Sequence, residues 1–338
     1  MPNAKIVAVA TELPASRMTV TEIANKVLAQ SPDLGLPVEM YLSKLVGVEQ
    51  VYRRAEGQNT SDLAAAAGQK ALDRADLEAA DLDLLIFSSA SQDLVEPATS
   101  HIVSALLGAK GVPVLDVKNA CNSVMNGLEV ADALIRGGRY RTVLVVSGET
   151  PSIAVRWENK DAAQFLRSFP GLSMSDAGSA ILLTATEDSG VGILDMAFTA
   201  DSERWIVGTL PGGGSRHPRD LEKSFFDIDG TKLAETFQAL GPEIVLQTLA
   251  RSGYKWEDFA AVGMHQVAAP YINQICDLLG VPSDRVIRTI AEFGNMTSCT
   301  LPLQLEIAMN SGQVKPGDLF AYIGLAGGIS VGMGIFRL

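Results

Sequence analysis

Three residues of this chain, Cys121, His265 and Asn295, have the types and local settings that thioester chemistry uses. Cys121 follows an apolar run that begins at Pro113, and a helical pattern starts directly after it. A thiol at the start of a helix is expected to ionise more easily, because the helix dipole stabilises the thiolate. The Cys121 backbone N–H can also point at the oxyanion of an acyl group bound to sulfur. This setting predicts a nucleophile, although a small packing residue fits the local sequence equally well.

His265 and Asn295 could supply the other groups that such a reaction needs. His265 ends the apolar strand pattern "FAAVGM", whereas the two other histidines, His101 and His217, lie in a helical pattern and in a Gly/Pro/Arg-rich segment. A neutral imidazole there can accept the thiol proton or donate to a thioester carbonyl oxygen. Asn295, in "EFGNMTSCTLP", could polarise a carbonyl with its amide, but asparagine before a helix is commonly only an N-cap.

The elements that must position these residues repeat along the chain. The segments 61–91 and 243–268 both read as a helix, a short acidic loop and a buried strand. With Leu72 aligned on Leu249, further helices and strands coincide. When 114–138 is next set against 286–312, Cys121 falls on Asn295. This predicts a duplicated α/β protein with an N-terminal half, residues 1–171, and a C-terminal half, residues 172–338. Coinciding strand ends would bring Cys121, His265 and Asn295 towards one pocket.

Composition excludes several classes of function. The chain has 338 residues, 47% of them hydrophobic, and a net charge of −12, which disfavours nucleic acid as a partner. No apolar run is long enough to cross a bilayer. Three widely separated cysteines suggest reduced thiols and a cytoplasmic location. The sequence has no metal-ligand spacing and no G-x-G-x-x-G after its first strand, so we expect neither a metal nor a dinucleotide cofactor.

Five motifs, in order and spacing, give the sequence a resemblance to the thiolase superfamily, and within it to the β-ketoacyl-ACP synthase III branch. They are "NAC" (119–121), "MSDAGSAILL" (174–183), "HQV" (265–267), "FGNMTSCTLP" (293–302) and "GLAGGISVGMG" (324–334). The resemblance covers essentially the whole chain. It implies the duplicated, five-layered αβαβα fold, a homodimer, and an acyltransferase of the ketosynthase type that works in fatty acid or polyketide metabolism.

The resemblance also implies roles for individual residues. Cys121 carries the acyl group, His265 and Asn295 bind the carbonyl of the second thioester, and the backbone N–H of Gly327 completes the oxyanion hole with that of Cys121. No cofactor is implied, since the acyl groups arrive on the phosphopantetheine of CoA or of an acyl carrier protein.

The chain departs from the branch at two sites near the substrate entrance. Tyr41 and Leu45 stand where the branch usually has an aromatic residue and an arginine, and Pro270 stands where it has a further arginine. The usual docking residues for CoA and carrier protein are therefore not all present.

Glu96 points to one group within the superfamily. "SQDLVEPATS" (91–100) resembles the segment of head-to-head condensing enzymes of olefin and α-pyrone biosynthesis that carries a glutamate base, and Glu96 is the matching position. In that group the glutamate reaches across the dimer and removes a proton from the α-carbon of the second acyl chain. A solvated loop glutamate is the alternative interpretation of Glu96.

The sequence therefore predicts a cofactor-independent enzyme that forms an acyl-Cys121 intermediate and condenses it with a second acyl thioester, without loss of a carboxylate. Three alternatives remain open at this point: acyl transfer to an oxygen, nitrogen or sulfur nucleophile, decarboxylative condensation with a malonyl donor, and an inactive thiolase-fold protein that binds a carrier.

Overall fold

The structure is a computed structural model and describes residues 2–338. The strands are β1 (Asn3–Glu12), β2 (Ser16–Thr19), β3 (Gln50–Arg53), β4 (Leu84–Ser88), β5 (Val114–Val117), β6 (Thr142–Glu149), β7 (Ala177–Thr186), β8 (Gly192–Ala200), β9 (Gly208–Thr209), β10 (Asp227–Ile228), β11 (Phe259–Met264), β12 (Leu319–Ala326) and β13 (Ser330–Arg337). The α-helices are α1 (Val20–Gln30), α2 (Val38–Met40), α3 (Thr60–Arg74), α4 (Thr99–Leu107), α5 (Ser123–Arg136), α6 (Ala162–Ser168), α7 (Gly230–Leu240), α8 (Glu243–Ser252), α9 (Ala269–Leu279), α10 (Ile290–Phe293) and α11 (Thr300–Asn310).

Two sheets with the same strand order form the framework of the molecule. The first has the order β1-β7-β6-β4-β5, and the second has the order β8-β13-β12-β11. In the first sheet β5 pairs in parallel with β4. At the corresponding edge of the second sheet, β11 is paired through a single parallel bridge between Val262 and Val286. Leu85 of β4 pairs with Leu144 of β6, and Val262 of β11 pairs with Ala321 of β12. Each residue of the second pair lies 177 positions after its equivalent in the first pair. The internal duplication is therefore present in the topology.

Helices cover both sheets and fill the space between them. Helices α3 and α4 pack on the outer face of the first sheet, and α8 packs against β8 and β13 of the second. The middle layer contains α5 and α11, and its core joins apolar residues of both helices with residues of both sheets, such as Leu128, Leu301, Ile86 and Phe320. The predicted five-layered αβαβα fold is confirmed. No helix within residues 2–338 is both long and apolar enough to span a bilayer.

The first sheet extends past the predicted boundary between residues 171 and 172. Strand β7 lies in the predicted C-terminal half, yet it pairs antiparallel with β1 on one side and with β6 on the other. The physical reason is that the apolar face of β7 completes the core of the first sheet, with Ile181 and Leu183 fully buried. The change from one sheet to the other falls between β7 and β8, after Thr186.

The repeat register also differs from the sequence alignment at the nucleophile. Ala120 and Thr297 are non-glycine residues with left-handed φ angles of +46° and +49°, and each stands three positions before the first residue of its middle helix. These positions differ by 177, the same spacing as in the strands. The counterpart of Cys121 is therefore Ser298, and the predicted match with Asn295 is wrong by three residues.

We predict that Gly178→Ala destabilises the protein through the contact between α3 and β7. A Cβ atom on Gly178 would stand 2.0 Å from the backbone oxygen of Leu63. Leu63 lies in the first turn of α3, and a helix backbone cannot move as easily as the end of a flexible side chain. We expect a loss of about 2 kcal/mol or more in the free energy of unfolding, measured by urea denaturation. The control Gly214→Ala lies in open space and should change it little; equal effects of the two substitutions would contradict the prediction.

Candidate active site

Cys121 lies in the tight turn between β5 and α5. The left-handed residue Ala120 makes this turn, and its carbonyl oxygen accepts a hydrogen bond from Ser123 Oγ at 2.7 Å. The Asn119 carbonyl oxygen accepts one from the Asn122 N–H at 3.0 Å. Cys121 is half-buried, and these hydrogen bonds hold the residues before and after it in the turn. A positive φ at a non-glycine residue is strained, and this kind of strain is common where a turn presents a functional side chain.

Two asparagine side chains connect this turn with the C-terminal half. Asn122, which is fully buried, donates through Nδ2 to Ser330 Oγ at 2.9 Å, and Asn119 Nδ2 reaches the same oxygen at 3.4 Å. Ser330 is the first residue of β13, so these bonds place the β12–β13 hairpin beside the Cys121 turn. Gly327 lies in this hairpin, between Ala326 and Ser330. The segment for which the sequence predicts an oxyanion donor is thus next to the nucleophile.

The pKa of the Cys121 thiol is raised, contrary to the expectation from the helix dipole. Burial raises the pKa of Cys121 to about 12, and the negative charge of Glu149 raises it further in the same direction. The helix dipole favours the thiolate by at most a small free energy, and withdrawal from water outweighs it. A thiol with such a pKa keeps its proton at neutral pH and would have to lose it in order to act as a nucleophile.

His265 is a buried, neutral imidazole that is free to act on a ligand. Its side chain is 3% exposed, and neither ring nitrogen has a hydrogen-bond partner among residues 2–338. Burial lowers the pKa of His265 to about 4. A neutral imidazole has one donor and one acceptor nitrogen, so it can accept the thiol proton or donate to a carbonyl oxygen.

Two buried glutamines fix the backbone on either side of His265. Gln304 of α11 accepts from the Met264 N–H at 2.8 Å and donates to the Met264 carbonyl oxygen at 2.9 Å. Gln266 accepts from the Thr289 and Ile290 N–H groups at 2.9 and 3.0 Å. The N–H of His265 itself donates to Ile323 O of β12 at 2.9 Å. These bonds position the imidazole through the backbone and leave its nitrogens unused.

Asn295 is held with its amide nitrogen free. Its backbone donates to Ser173 O and accepts from Ser175 N, both at 2.9 Å. Its Oδ1 accepts from the Thr297 N–H at 2.9 Å, which orients the amide, and no hydrogen bond of Nδ2 is recorded within the described chain. Nδ2 can therefore donate to a carbonyl oxygen. Arg53 supports this segment, since its guanidinium donates to Met174 O at 2.5 Å and to Leu172 O at 3.2 Å.

The structure joins the Cys121 turn to the β12–β13 hairpin that carries Gly327, and it joins His265 to Ile323 of β12. That these groups meet Asn295 in one pocket stays a prediction.

Glu96 is exposed on the loop 89–98, and its carboxylate has no recorded hydrogen bond or ion pair within residues 2–338. Its neighbours Leu94 and Val95 are 52% and 80% exposed. A contact between Glu96 and the other predicted site residues stays a prediction.

Sequence reasoning did not identify Glu149, the last residue of β6, as part of this site. Glu149 is fully buried, and its charge acts on the Cys121 thiol. The available signal was a carboxylate at the end of the otherwise uncharged strand "TVLVVSGE". A charged residue at the end of a buried strand has to find partners inside the protein, which marks it for attention.

No group of histidine, cysteine and acidic residues within residues 2–338 has an arrangement that could hold a metal ion. The other two thiols, Cys276 and Cys299, are buried, and burial raises the pKa of each.

Two family models match the chain, and both describe 3-oxoacyl-[acyl-carrier-protein] synthase III. One covers residues 115–202, and the model of the C-terminal region covers residues 249–338. The β-ketoacyl-[acyl-carrier-protein] synthase III of Cereibacter sphaeroides is 32% identical over 299 residues, which are 86% of this chain and 88% of that protein. The enzyme of the same name from Laribacter hongkongensis is 28% identical over the full length of both chains.

Solved structures give the same result for the fold. The 3-oxoacyl-[acyl-carrier-protein] synthase III of Aquifex aeolicus superposes with a TM-score of 0.85 at 25% identity, covering 99% of this chain and 100% of that one. OleA of Xanthomonas campestris, solved with lauric acid and lauroyl-CoA, superposes with a TM-score of 0.89 at 23% identity and covers 99% of each chain.

We predict that the buried imidazole makes the protein less stable in weak acid. The pKa of His265 is lowered from 6.5 to about 4 in the folded protein. Between these two pH values the imidazole is protonated in the unfolded chain and neutral in the folded chain. The stability due to neutral His265 is thus present above pH 6.5 and is lost as the pH falls towards 4. Between pH 7 and pH 5, wild type should lose about 2 kcal/mol more than His265→Gln in urea denaturation.

The exposed His101 on α4 provides the control, because His101→Gln should lose as much stability as wild type over the same pH range. Parallel pH dependences for wild type and His265→Gln would show that the imidazole ionises freely, and would contradict the prediction.

Proposed function

The chain belongs to the β-ketoacyl-[acyl-carrier-protein] synthase III family, and we propose that within this family it joins two acyl chains head to head, by a Claisen condensation without decarboxylation. Membership makes it an acyltransferase of the ketosynthase type. The proposal concerns the second substrate, the residues that act on it, and the absence of a cofactor: both acyl groups would arrive on a phosphopantetheine thiol of CoA or of an acyl carrier protein.

The first half-reaction would load Cys121. As its sulfur attacks the thioester carbonyl, the thiol proton passes to neutral His265, and the N–H groups of Cys121 and Gly327 hold the oxyanion. The C–S bond to the carrier then breaks, and the leaving thiolate takes the proton from His265. Both resting partners are neutral, with a thiol pKa of about 12 and an imidazole pKa of about 4, so the proton moves together with bond formation.

The second half-reaction would form the carbon–carbon bond. The carbonyl oxygen of the second thioester accepts hydrogen bonds from His265 and from Asn295 Nδ2, which stabilises an enolate when Glu96 removes the α-proton. The α-carbon then attacks the acyl-Cys121 carbonyl, the C–S bond breaks, and the thiolate recovers the proton that Glu96 took. The product is a β-ketoacyl thioester with an alkyl branch at its α-carbon.

The observation that carries the non-decarboxylative reaction is the setting of Glu96. Both ends of the loop 89–98 are fixed, at Ala90 and Ser91 by Glu149 and at Thr99 and Ser100 by Asp116, while the Glu96 carboxylate and its apolar neighbours stay exposed. A rigid loop that offers a carboxylate and two apolar side chains to the outside fits insertion into the acyl channel of a second subunit.

A homodimer is therefore part of the proposal. Strand β5 is the edge of the first sheet, and among residues 2–338 it pairs on one side alone, with β4. The loop 89–98 follows β4, so a second chain at this edge would meet both features. Pairing along an open edge strand is a common way for two sheets to join.

Decarboxylative condensation is the second candidate. It is supported by the names of the curated relatives, which are β-ketoacyl-[acyl-carrier-protein] synthase III enzymes. His265 and Asn295 Nδ2 would stabilise the enolate in the same way, but it would arise by loss of carbon dioxide, and Glu96 would have no role. Acyl transfer to an oxygen, nitrogen or sulfur nucleophile, and an inactive carrier-binding protein, are outcomes that the following experiments would also reveal.

We predict that Cys121→Ala abolishes acylation. Incubation of wild type with long-chain acyl-CoA should add one acyl mass in intact-protein mass spectrometry, and the variant should show none, because it lacks the attacking sulfur. The control Cys276→Ala removes a buried thiol of α9 and should be acylated like wild type. An adduct on Cys121→Ala would exclude this residue as the nucleophile.

We predict that Glu96→Gln stops condensation but leaves acylation intact. The amide cannot take the α-proton, so the β-ketoacyl product measured by mass spectrometry should fall by about a hundredfold or more, whereas the acyl-enzyme should still form. The matched control Glu56→Gln changes another exposed loop carboxylate and should have no effect. Unchanged product formation in Glu96→Gln would exclude Glu96 as the base. A wild-type enzyme that forms product only with a malonyl donor would leave decarboxylative condensation as the better candidate.

Mixed dimers would test whether Glu96 acts on the partner subunit. Neither Cys121→Ala nor Glu96→Gln chains should be active alone, but a dimer of the two contains one site with an intact Cys121 and an intact Glu96 if the base acts across the interface. Co-expressed chains with different affinity tags should therefore recover activity. No recovery in purified mixed dimers would place Glu96 in its own subunit's site or outside the chemistry.

A further inference from the structure

Asn122, the residue after Cys121, reaches with its side chain into the opposite half of the protein. It is fully buried, and its Nδ2 donates to Ser330 Oγ at 2.9 Å and to the Ser330 carbonyl oxygen at 3.3 Å. Asn119, two residues before Cys121, donates through Nδ2 to Asn126 Oδ1 at 2.8 Å and reaches Ser330 Oγ at 3.4 Å. Separating Ser330 from this turn would leave buried amide hydrogens without acceptors, which is costly.

The oxygen of the Asn122 amide packs against β12. A Cβ atom on Gly324 would overlap Asn122 Oδ1, so the amide lies directly on the Gly324 backbone. Oδ1 has no hydrogen-bond partner among residues 2–338, whereas Nδ2 has the two acceptors of Ser330. Ile323, the preceding residue of β12, accepts a hydrogen bond from the His265 N–H at 2.9 Å. Adjacent residues of one strand therefore contact both Asn122 and the His265 backbone.

The turn of the β12–β13 hairpin, residues 327–329, is anchored on the side that follows Gly327. Ile329 exchanges two backbone hydrogen bonds with Asp201, at 2.9 and 3.3 Å, and Ser330 then begins β13 opposite Ala326. No hydrogen bond of the Gly327 N–H is recorded within the described part of the chain. This N–H can therefore donate to a ligand, and its place depends on the residues that hold the hairpin.

We propose that Asn122 and Ser330 are positioning residues of the oxyanion hole. Their hydrogen bond holds the hairpin turn 327–329 against the Cys121 turn, so that the N–H groups of Cys121 and Gly327 reach one carbonyl oxygen. This role rests on the proposed function, in which these two N–H groups stabilise the oxyanion while Cys121 is acylated. Oxyanion-hole donors stabilise the transition state more than the bound substrate, and a small displacement of one donor weakens that stabilisation.

Ser330→Ala tests this role in the acylation of Cys121, a step that precedes the second substrate and does not involve Glu96. The variant removes the acceptor Oγ and keeps the backbone of β13. Acyl-enzyme formation is followed by rapid quenching and intact-protein mass spectrometry, at several concentrations of long-chain acyl-CoA. We expect the maximal rate constant to fall by about tenfold or more, while the half-saturating concentration changes by less than about twofold.

Two other serine variants separate the hydroxyl oxygen from general packing. Ser330→Thr keeps an oxygen at this position, and its maximal rate constant should stay within about threefold of wild type. The matched control is Ser104→Ala on α4, which removes another buried hydroxyl, one that donates to Ala109 O at 3.0 Å, and it should be acylated like wild type. A folded Ser330→Thr that is as slow as Ser330→Ala, or an equal loss in Ser104→Ala, would overturn the proposal.

Alkylation of Cys121 by iodoacetamide provides a readout that does not use the oxyanion hole. Sulfur displaces iodide from a methylene carbon in this reaction, and no negative charge develops on a carbonyl oxygen. The alkylation rate of Ser330→Ala should therefore equal that of wild type. An equal fall of acylation and alkylation would show that the thiol itself has moved, and would overturn the proposal.

Asn122→Ala removes the other side of the hydrogen bond, and it decides the question if Ser330→Ala does not fold. It should lower the maximal acylation rate constant by a similar factor and leave alkylation unchanged. The double variant should be about as slow as either single variant, because both substitutions remove the same interaction. Two losses that multiply in the double variant would indicate independent packing effects and would contradict the proposed pairing.

Wild type distinguishes failure of this role from failure of the proposed function. An acyl-Cys121 adduct on wild type that forms equally fast in Ser330→Ala would remove the positioning role and leave the proposed function standing. Absence of any adduct on wild type would overturn the proposed acylation, and the positioning role with it.

Discussion

The burial of helices α5 and α11 between the two sheets is the constraint on which the rest of the structure depends. Helix α5 begins just beyond the end of β5, whereas α11 follows α10 and a 3-10 turn. Each helix is preceded by a turn with a left-handed residue, Ala120 or Thr297. Polar groups in these turns have little access to water and must find partners inside the protein. The Asn122 side chain donates a hydrogen bond to Ser330 of the opposite half, and the Ser298 hydroxyl donates one to Glu149. The hydrogen bonds that satisfy the buried layer are thus the same ones that assemble the site.

Much of the fold could be predicted from the sequence, because strands and helices alternate with the same spacing in both halves. The position of Cys121 before a helix and of His265 after a strand followed from the same pattern. The register at Asn295 did not, because the two halves share few identities there, and the alignment of 114–138 on 286–312 departs from the spacing of 177 positions that holds in the strands and in both turns. The boundary was misplaced because β7 pairs with β1, far away in sequence, and local patterns carry no information on that pairing.

The ionisation of Cys121 shows the limit of local rules most clearly. A position at the start of a helix lowers the pKa of a thiol. For Cys121 the pKa is instead raised, by burial and by the carboxylate of Glu149, 28 positions further along the chain. Burial also makes His265 neutral, so the resting site holds no charged acid–base pair. Asn295 adds an amide whose oxygen is already bound and whose nitrogen is free. Such a site has its hydrogen-bond donors in place before any charge develops in the reaction.

The contact between Glu149 and Ser298 has a consequence for recombination between relatives of this enzyme. One member of the pair comes from each half of the duplicated chain, and the bond crosses the natural junction after Thr186. A chimera that exchanges whole halves at that junction would keep both folds and both sets of motifs, yet could combine a buried carboxylate with a turn that lacks the hydroxyl. Successful crossovers should therefore inherit Glu149 and Ser298 from the same parent.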